Sequence, residues 1–142
     1  MQTLIEKEIP ITKSMAITWS QLTSQNAELS IKLAPNHNHK GTAFGGSIYS
    51  CATVACYGLF LSELGSQGID TNNIVIAHGE IKYLAPVEGD FIIRASWESL
   101  DQRGEFLRTL TAKKKARIKL TAQVLHRNAV CAEFYGDFVA TL

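Results

Sequence analysis

The sequence predicts an α+β domain in which one antiparallel sheet curls round a single long helix. Three observations carry that expectation. From Gly41 to Leu61 there is no Asp, Glu, Lys or Arg. Several segments elsewhere alternate apolar and polar residues with period two, the pattern of strands with one hidden face. No repeat, low-complexity tract or Pro/Gly-rich linker divides the 142 residues, so residues 1–142 form one domain, long enough to bury its own core.

In chain order, Ala16 to Gln21 reads as a weak first strand and Glu28 to Leu33, with every second residue apolar, as a second. A long helix follows from about Gly46 to Leu64, ending near Gly65. Ile48, Cys51, Ala52, Val54, Ala55, Cys56, Leu59, Phe60 and Leu61 cover most of its circumference, so it must be wrapped on most sides. Ile74 to Leu84 is a third strand with a bulge or bend expected at Gly79. Phe91 to Trp97 is a fourth, with Phe91, Ile93, Ala95 and Trp97 on one face. A shorter helix over Leu100 to Ala112 has Leu100, Phe106, Leu107 and Leu110 as its apolar side. Ala116 to Val124 and Ala129 to Leu142 complete the sheet, with Cys131, Tyr135 and Val139 expected on the outer face of the last strand. The one-sided strands supply the wrapping for the helix. Open sheet edges pair readily with another copy, so a homo-oligomer is expected.

Composition excludes several classes. At 46% apolar and 19% charged the chain is globular, and a formal net charge of +1 supplies no global field for nucleic acid. The uncharged run raises the question of a membrane span. Its first third, however, holds Gly41, Thr42, Gly45, Gly46 and Ser47, and the apolar remainder, Ile48 to Leu61, has the length of a core helix. No membrane association is expected. The N-terminus carries Glu6, Lys7 and Glu8 where an export signal has its apolar region. Three cysteines without a CxxC pair suit a reducing, cytoplasmic setting.

The chemistry concentrates between Ala34 and Ser47: a strand end, a polar loop, a double glycine and a helix start. The first turn of a helix has backbone N–H groups without intrahelical partners. Glycines there let a carbonyl approach the backbone closely, which is how fixed donors are aimed at an oxygen that gains negative charge. The Asn38 amide adds a donor or orients water. The residues alone fit equally well a tight loop with ordinary helix capping by Thr42 or Ser47.

The pattern Asn38-x-x-Gly41-Thr42-x-x-Gly45-Gly46, followed by an uncharged helix, resembles the hotdog-fold thioesterase superfamily. With Tyr83-Leu84-Ala85-Pro86-Val87-Glu88-Gly89-Asp90, the whole chain is similar to the bacterial "putative thioesterase" family, found elsewhere fused behind an N-acetyltransferase domain. The resemblance implies a hotdog fold, a homodimer or homotetramer, and an acyl thioester of coenzyme A or acyl carrier protein as substrate, with no cofactor. It also implies roles: Asn38 and the Gly46 N–H at the reacting carbonyl, with Thr42, Phe44, Gly45, Ser47 and Tyr49 binding substrate.

Two departures bear on the reaction. The histidine usual before the double glycine is Phe44, and the helix position that holds a carboxylate in several hotdog thioesterases is Thr53. No Asp or Glu occurs between Glu28 and Glu63, although hydrolysis ordinarily wants a base beside the attacking water. A second subunit is left to lend Asp70, Glu80 or Asp90. Decarboxylation of a malonyl thioester needs no base, and some relatives are associated with malonyl-acyl carrier protein decarboxylation, which gives the acetyl thioester that starts fatty acid synthesis. That reaction is preferred to hydrolysis, with a catalytically silent acyl-thioester-binding module as a further class.

Lesser candidates have plainer readings. His37-x-His39 is half a metal site with no further ligands nearby, so no metal is expected, and the pair reads as loop histidines. Lys113, Lys114, Lys115, Arg117 and Lys119 make a dense basic cluster. It is either a solvated face or a contact for coenzyme A phosphates or an acidic carrier protein. Tyr49, Thr53 and Tyr57 line one face of the long helix, as core or as an acyl tunnel.

Overall fold

A computed structural model describes residues 1–142. Two short helices, α1 (Gln2–Glu8) and α2 (Ile11–Ser14), precede the first strand. The strands are β1 (Ile17–Leu22), β2 (Asn26–Ile31), β3 (Ile74–Tyr83), β4 (Phe91–Trp97), β5 (Lys115–His126) and β6 (Ala129–Thr141). The long helix, α3 (Gly45–Ser66), lies between β2 and β3, and α4 (Leu100–Lys113) between β4 and β5. All six strands form one sheet in the order β1-β2-β4-β5-β6-β3, antiparallel at every step.

The core is the sheet's concave face closed over α3. Leu29, Ile31, Ile93, Leu120, Val124 and Phe134 meet Cys51, Ala55, Leu59 and Phe60 of the helix, all at 2% exposure or less. Phe60 gathers Phe106, Trp97 and Phe138 at ring-centroid distances of 5.1, 6.1 and 6.3 Å, so α4 plugs the far end of the helix through Phe106 and Leu110. Ser99 caps α4 by accepting from the Gln102 N–H at 3.1 Å. Leu100, expected on its apolar side, is 65% exposed, and α4 buries only Phe106 and Leu110. Helix α3 has the length and composition of a membrane span, but its apolar surface is spent on the sheet.

Small differences from the sequence reading have local causes. The irregularity in β3 falls between Ile76 and His78, and Gly79 pairs in register with Gly136. A side chain at position 79 would meet the Tyr49 hydroxyl, which lies over Gly79. The helix continues past Gly65, and the positive-φ glycine behind its end is Gly68 at +72°. Cys131 is buried instead of facing out. The β5–β6 register slips between Val124 and Leu125, so Cys131 is an extra residue that turns inward beside Ala132. The N-terminal helices had no signal in the period-two reading because they are short and charged.

Helix α3 packs on the Trp19 ring of β1 at Gly58, where a Cβ would collide with that ring. Gly58→Ala forces that ring off the helix, and chemical denaturation is expected to read a loss of about 1–3 kcal/mol, the usual cost of overpacking.

Candidate active site

The loop before α3 is organised by one side chain. The Asn38 Oδ1 accepts from the Lys40 and Thr42 N–H groups at 2.9 and 3.2 Å, and its Nδ2 donates to the Thr42 Oγ1 at 2.9 Å. Main-chain bonds from the Asn38 N–H to the Thr42 carbonyl (2.7 Å) and from the Gly41 N–H to the Asn38 carbonyl (3.1 Å) close the turn. Gly41 sits there at φ +78°, where a side chain would be strained. Asn38 therefore pins the loop and keeps one amide hydrogen uncommitted.

Beneath this loop lies Asn36, which the motif reading passed over. It is 2% exposed and its side-chain Nδ2 donates to the Met15 and Lys32 carbonyls at 2.8 and 2.7 Å, while its main-chain carbonyl accepts from the Phe44 N–H at 2.7 Å. It ties the end of α2, the end of β2 and the entry to α3 to one point. Its sequence signal, a polar residue in a polar loop, is indistinguishable from that of an exposed neighbour.

The start of α3 is bare. Phe44 is the N-cap residue and supplies no side-chain hydrogen bond, so neither Thr42 nor Ser47 caps the helix. The Ala43 and Phe44 N–H groups are taken by the Val87 and Asn36 carbonyls, and the first intrahelical bond runs from the Ile48 N–H to the Phe44 carbonyl. The N–H groups of Gly45, Gly46 and Ser47 have no partner within the chain. A cleft of about 510 Å³ opens at this turn, lined by Thr42, Ala43, Gly45, Gly46, Ile48 and the Tyr83–Val87 segment.

The far wall of the cleft is built by the β5–β6 bulge. The Cys131 carbonyl accepts from the Leu84 and Ala85 N–H groups at 2.8 and 3.1 Å, turning the chain after β3 across the mouth of α3. Tyr83 donates its hydroxyl to the Gly45 carbonyl at 2.8 Å, and burial, then the neighbouring Tyr49, raises its phenol above the ordinary value. The Phe44 ring, 56% exposed, lies over Gly46. Of the seven residues expected at the site, Thr42, Gly45 and Gly46 line the cleft. Asn38 and Phe44 are outside its lining, Asn38 bonded to Thr42 and Phe44 lying over Gly46; Ser47 has an unpaired N–H, and Tyr49 faces a neighbouring cavity.

The suggested bases do not reach this cleft in one protomer. Asp90 is held by the Leu33 N–H at 2.9 Å and Lys32 at 3.2 Å, which keep its carboxyl below the usual range. Glu80 pairs with His78 at 3.0 Å on the outer face of β3, and Asp70 is exposed in the segment before β3. His37 directs its Nδ1 to the Asn38 carbonyl at 2.9 Å. The basic cluster lies at the start of β5, where Lys115 pairs with Thr141. That is the end of the sheet opposite the cleft, about 30 Å away along β3; there Arg117 is engaged by Asp137 at 2.8 Å.

A second space runs alongside α3. Its stripe of Tyr49, Ser50, Thr53, Val54 and Tyr57 looks across to Ile9, Ile11 and Met15 at the N-terminus and to Ile74, Ile76 and Phe138 of the sheet. The cavity between them holds about 510 Å³.

Comparison with known proteins places the fold. The family model described as "Putative thioesterase (yiiD_Cterm)" matches residues 1–142. A solved "putative thioesterase" from Shewanella oneidensis is 29% identical, with a TM-score of 0.88 over 99% of this chain and 94% of that one. A protein of unknown function from Chlorobaculum tepidum is 27% identical, with a TM-score of 0.89 over 98% and 90%. A "probable thioesterase" from Pseudomonas aeruginosa, 16% identical with a TM-score of 0.79 over 97% and 91%, shares the fold. The sheet wrapped round α3 is a hotdog fold.

The thiols of α3 are held in their unreactive form. Burial pushes Cys51 up to about 12 and Cys56 higher still, and the thiolate is the reactive form. Iodoacetamide at neutral pH is expected to leave both unlabelled in the native protein and to modify both after denaturation, as read by peptide mass spectrometry.

Proposed function

Since the chain belongs over its full length to that thioesterase family, we propose that it is an acyl-thioester enzyme whose reactive end is the cleft at the start of α3, and that it decarboxylates a malonyl thioester of acyl carrier protein or coenzyme A. The observation that carries this reading is a bare helix N-terminus in a cleft whose lining contains no carboxylate and no imidazole.

The thioester oxygen rests on the Gly46 N–H, flanked by those of Gly45 and Ser47, with the spare Asn38 amide hydrogen as a further donor. The bond to the carboxylate carbon breaks, carbon dioxide departs, and the electron pair forms an enolate whose charge collects on that oxygen. A proton from solvent then gives the acetyl thioester. Ile48, Leu84, Ala85, Pro86 and Val87 make the cleft walls apolar, which disfavours the charged carboxylate relative to neutral carbon dioxide. Thr42 holds Asn38 in place, and Phe44 shields Gly46 from water.

The partner is a second copy of the chain, joined along the free edge of β3 in a homodimer or homotetramer. An antiparallel pairing there sets the Lys113–Lys115 cluster of one copy beside the cleft of the other, within reach of coenzyme A phosphates or an acidic carrier protein. Three free, buried cysteines suit the cytoplasm. Light scattering is expected to give a mass of two or four chains; a monomer would remove the second copy from the site.

Purified protein given a malonyl thioester is expected to release carbon dioxide and leave an intact acetyl thioester. Free thiol without carbon dioxide means hydrolysis, and saturable binding with neither product means a binding module; each overturns the decarboxylase reading. Asn38→Ala is expected to lower kcat/KM by about a hundredfold or more, the scale of a lost oxyanion donor. An undiminished rate takes Asn38 out of the mechanism.

A further inference from the structure

Tyr83 ends β3 and lines the cleft, yet it takes no part in the reaction proposed above. Its backbone is fixed on both sides. Tyr83 pairs with Ala132, and the Leu84 and Ala85 N–H groups that follow share the Cys131 carbonyl. From that anchor the ring lies along the first turn of α3. A Cβ on Gly45 would stand 3.3 Å from its hydroxyl, so the missing side chain lets the phenol reach the Gly45 carbonyl at 2.8 Å.

That carbonyl belongs to the same peptide group as the Gly46 N–H, the donor assigned above to the thioester oxygen. A peptide group is planar and conjugated, so a donor at its oxygen draws electrons away from its nitrogen. The N–H at the other end becomes the stronger donor, as in any chain of hydrogen bonds that polarise one another. The same bond holds the plane of the peptide, and with it the direction of the N–H. The Phe44 ring packs over Gly46, and the Gly46 N–H has no partner within the chain. Thr42, the other side-chain hydroxyl in the lining, is bonded to Asn38 instead. No other titratable group lines the cleft. Burial, and then the neighbouring Tyr49 of α3, hold the Tyr83 phenol above its ordinary value, so it keeps the hydrogen it donates throughout the neutral range.

We infer that Tyr83 is a positioning residue: through the Gly45 carbonyl it orients and polarises the peptide whose N–H meets the charge of the enolate oxygen. The inference rests on the decarboxylase reading for its effect on rate, whereas the polarised peptide stands apart from that reading. A polarised donor gains most against a full negative charge, so the effect falls on the transition state more than on substrate binding.

Gly45-Gly46 is the only Gly-Gly step in the sequence, which gives this peptide a spectroscopic signature of its own. In the full chain with only glycine isotopically labelled, at its carbonyl carbon and its nitrogen, a spectrum correlating the two across the peptide bond contains this one peak. Tyr83→Phe keeps the ring and removes the hydroxyl. It is expected to move the peak upfield in both dimensions, with thermal melting checking that the variant folds. With malonyl-coenzyme A, its kcat is expected to fall about three- to tenfold, the scale of one neutral hydrogen bond, and its KM to change by less than about twofold. A ring-fluorinated tyrosine at position 83 ionises at lower pH, and a phenolate has no hydrogen to donate. The kcat of that protein is expected to fall at a lower pH than the kcat of the unmodified chain.

A peak that does not move, a change confined to KM, or a fluorinated protein with the pH profile of the unmodified one overturns the inference. A shifted peak in a protein that leaves malonyl thioesters untouched sinks the decarboxylase reading and keeps the polarised peptide. Decarboxylation with an unmoved peak and an undiminished kcat in Tyr83→Phe does the reverse.

Discussion

The burial of α3 is the constraint on which the rest of the molecule depends. A helix that is apolar round most of its circumference cannot stand in water, and the one-sided strands cannot leave their apolar faces open. Each satisfies the other: the sheet closes over Cys51, Ala55, Leu59 and Phe60, and α4 seals the far end through Phe106. The near end of the helix, with its unpaired N–H groups, is left at the rim of the sheet. The same packing that stabilises the fold thus exposes a row of unpaired donors.

That rim is shaped by details of the sheet's edge. The extra residue at Cys131 frees a carbonyl that bends the chain after β3 across the mouth of α3. The Val87 carbonyl takes the Ala43 N–H and the Asn36 carbonyl takes the Phe44 N–H, so the donors just before the helix are spoken for and those of Gly45 to Ser47 are not. A loop pinned by Asn38 on one side and Tyr83 on the other holds these groups in place before any ligand arrives. Fixed donors need no reorganisation when charge develops, which is the condition for electrostatic catalysis.

The sheet does not close round the whole helix. Where β3 ends the sheet, the stripe from Tyr49 to Tyr57 faces a cavity that α1 and α2 roof only partly. An apolar space of this size next to polar donors is the usual form of a small-molecule site, and here the cavity and the bare helix start lie on one helix.

Much of this was legible in the sequence. The uncharged run and the period-two segments determined the helix, the six strands and the α+β class, because burial of a stripe or a face imposes a periodicity that survives in the residues alone. The Asn38–Gly46 motif likewise marked the loop, since few residues other than glycine tolerate φ +78° at position 41. Only the tertiary structure decided whether the helix was capped, where Asn38 spends its hydrogen bonds, that Asn36 is buried, and that Cys131 turns inward. Each depends on which groups from distant strands meet at one point, and a contact between Val87 and Ala43 or between Cys131 and Leu84 leaves no periodic trace in the chain. The tyrosine stripe fitted either core or tunnel as sequence; it became a cavity wall because β3 is the edge strand of the sheet and α1 and α2 cover the stripe only partly.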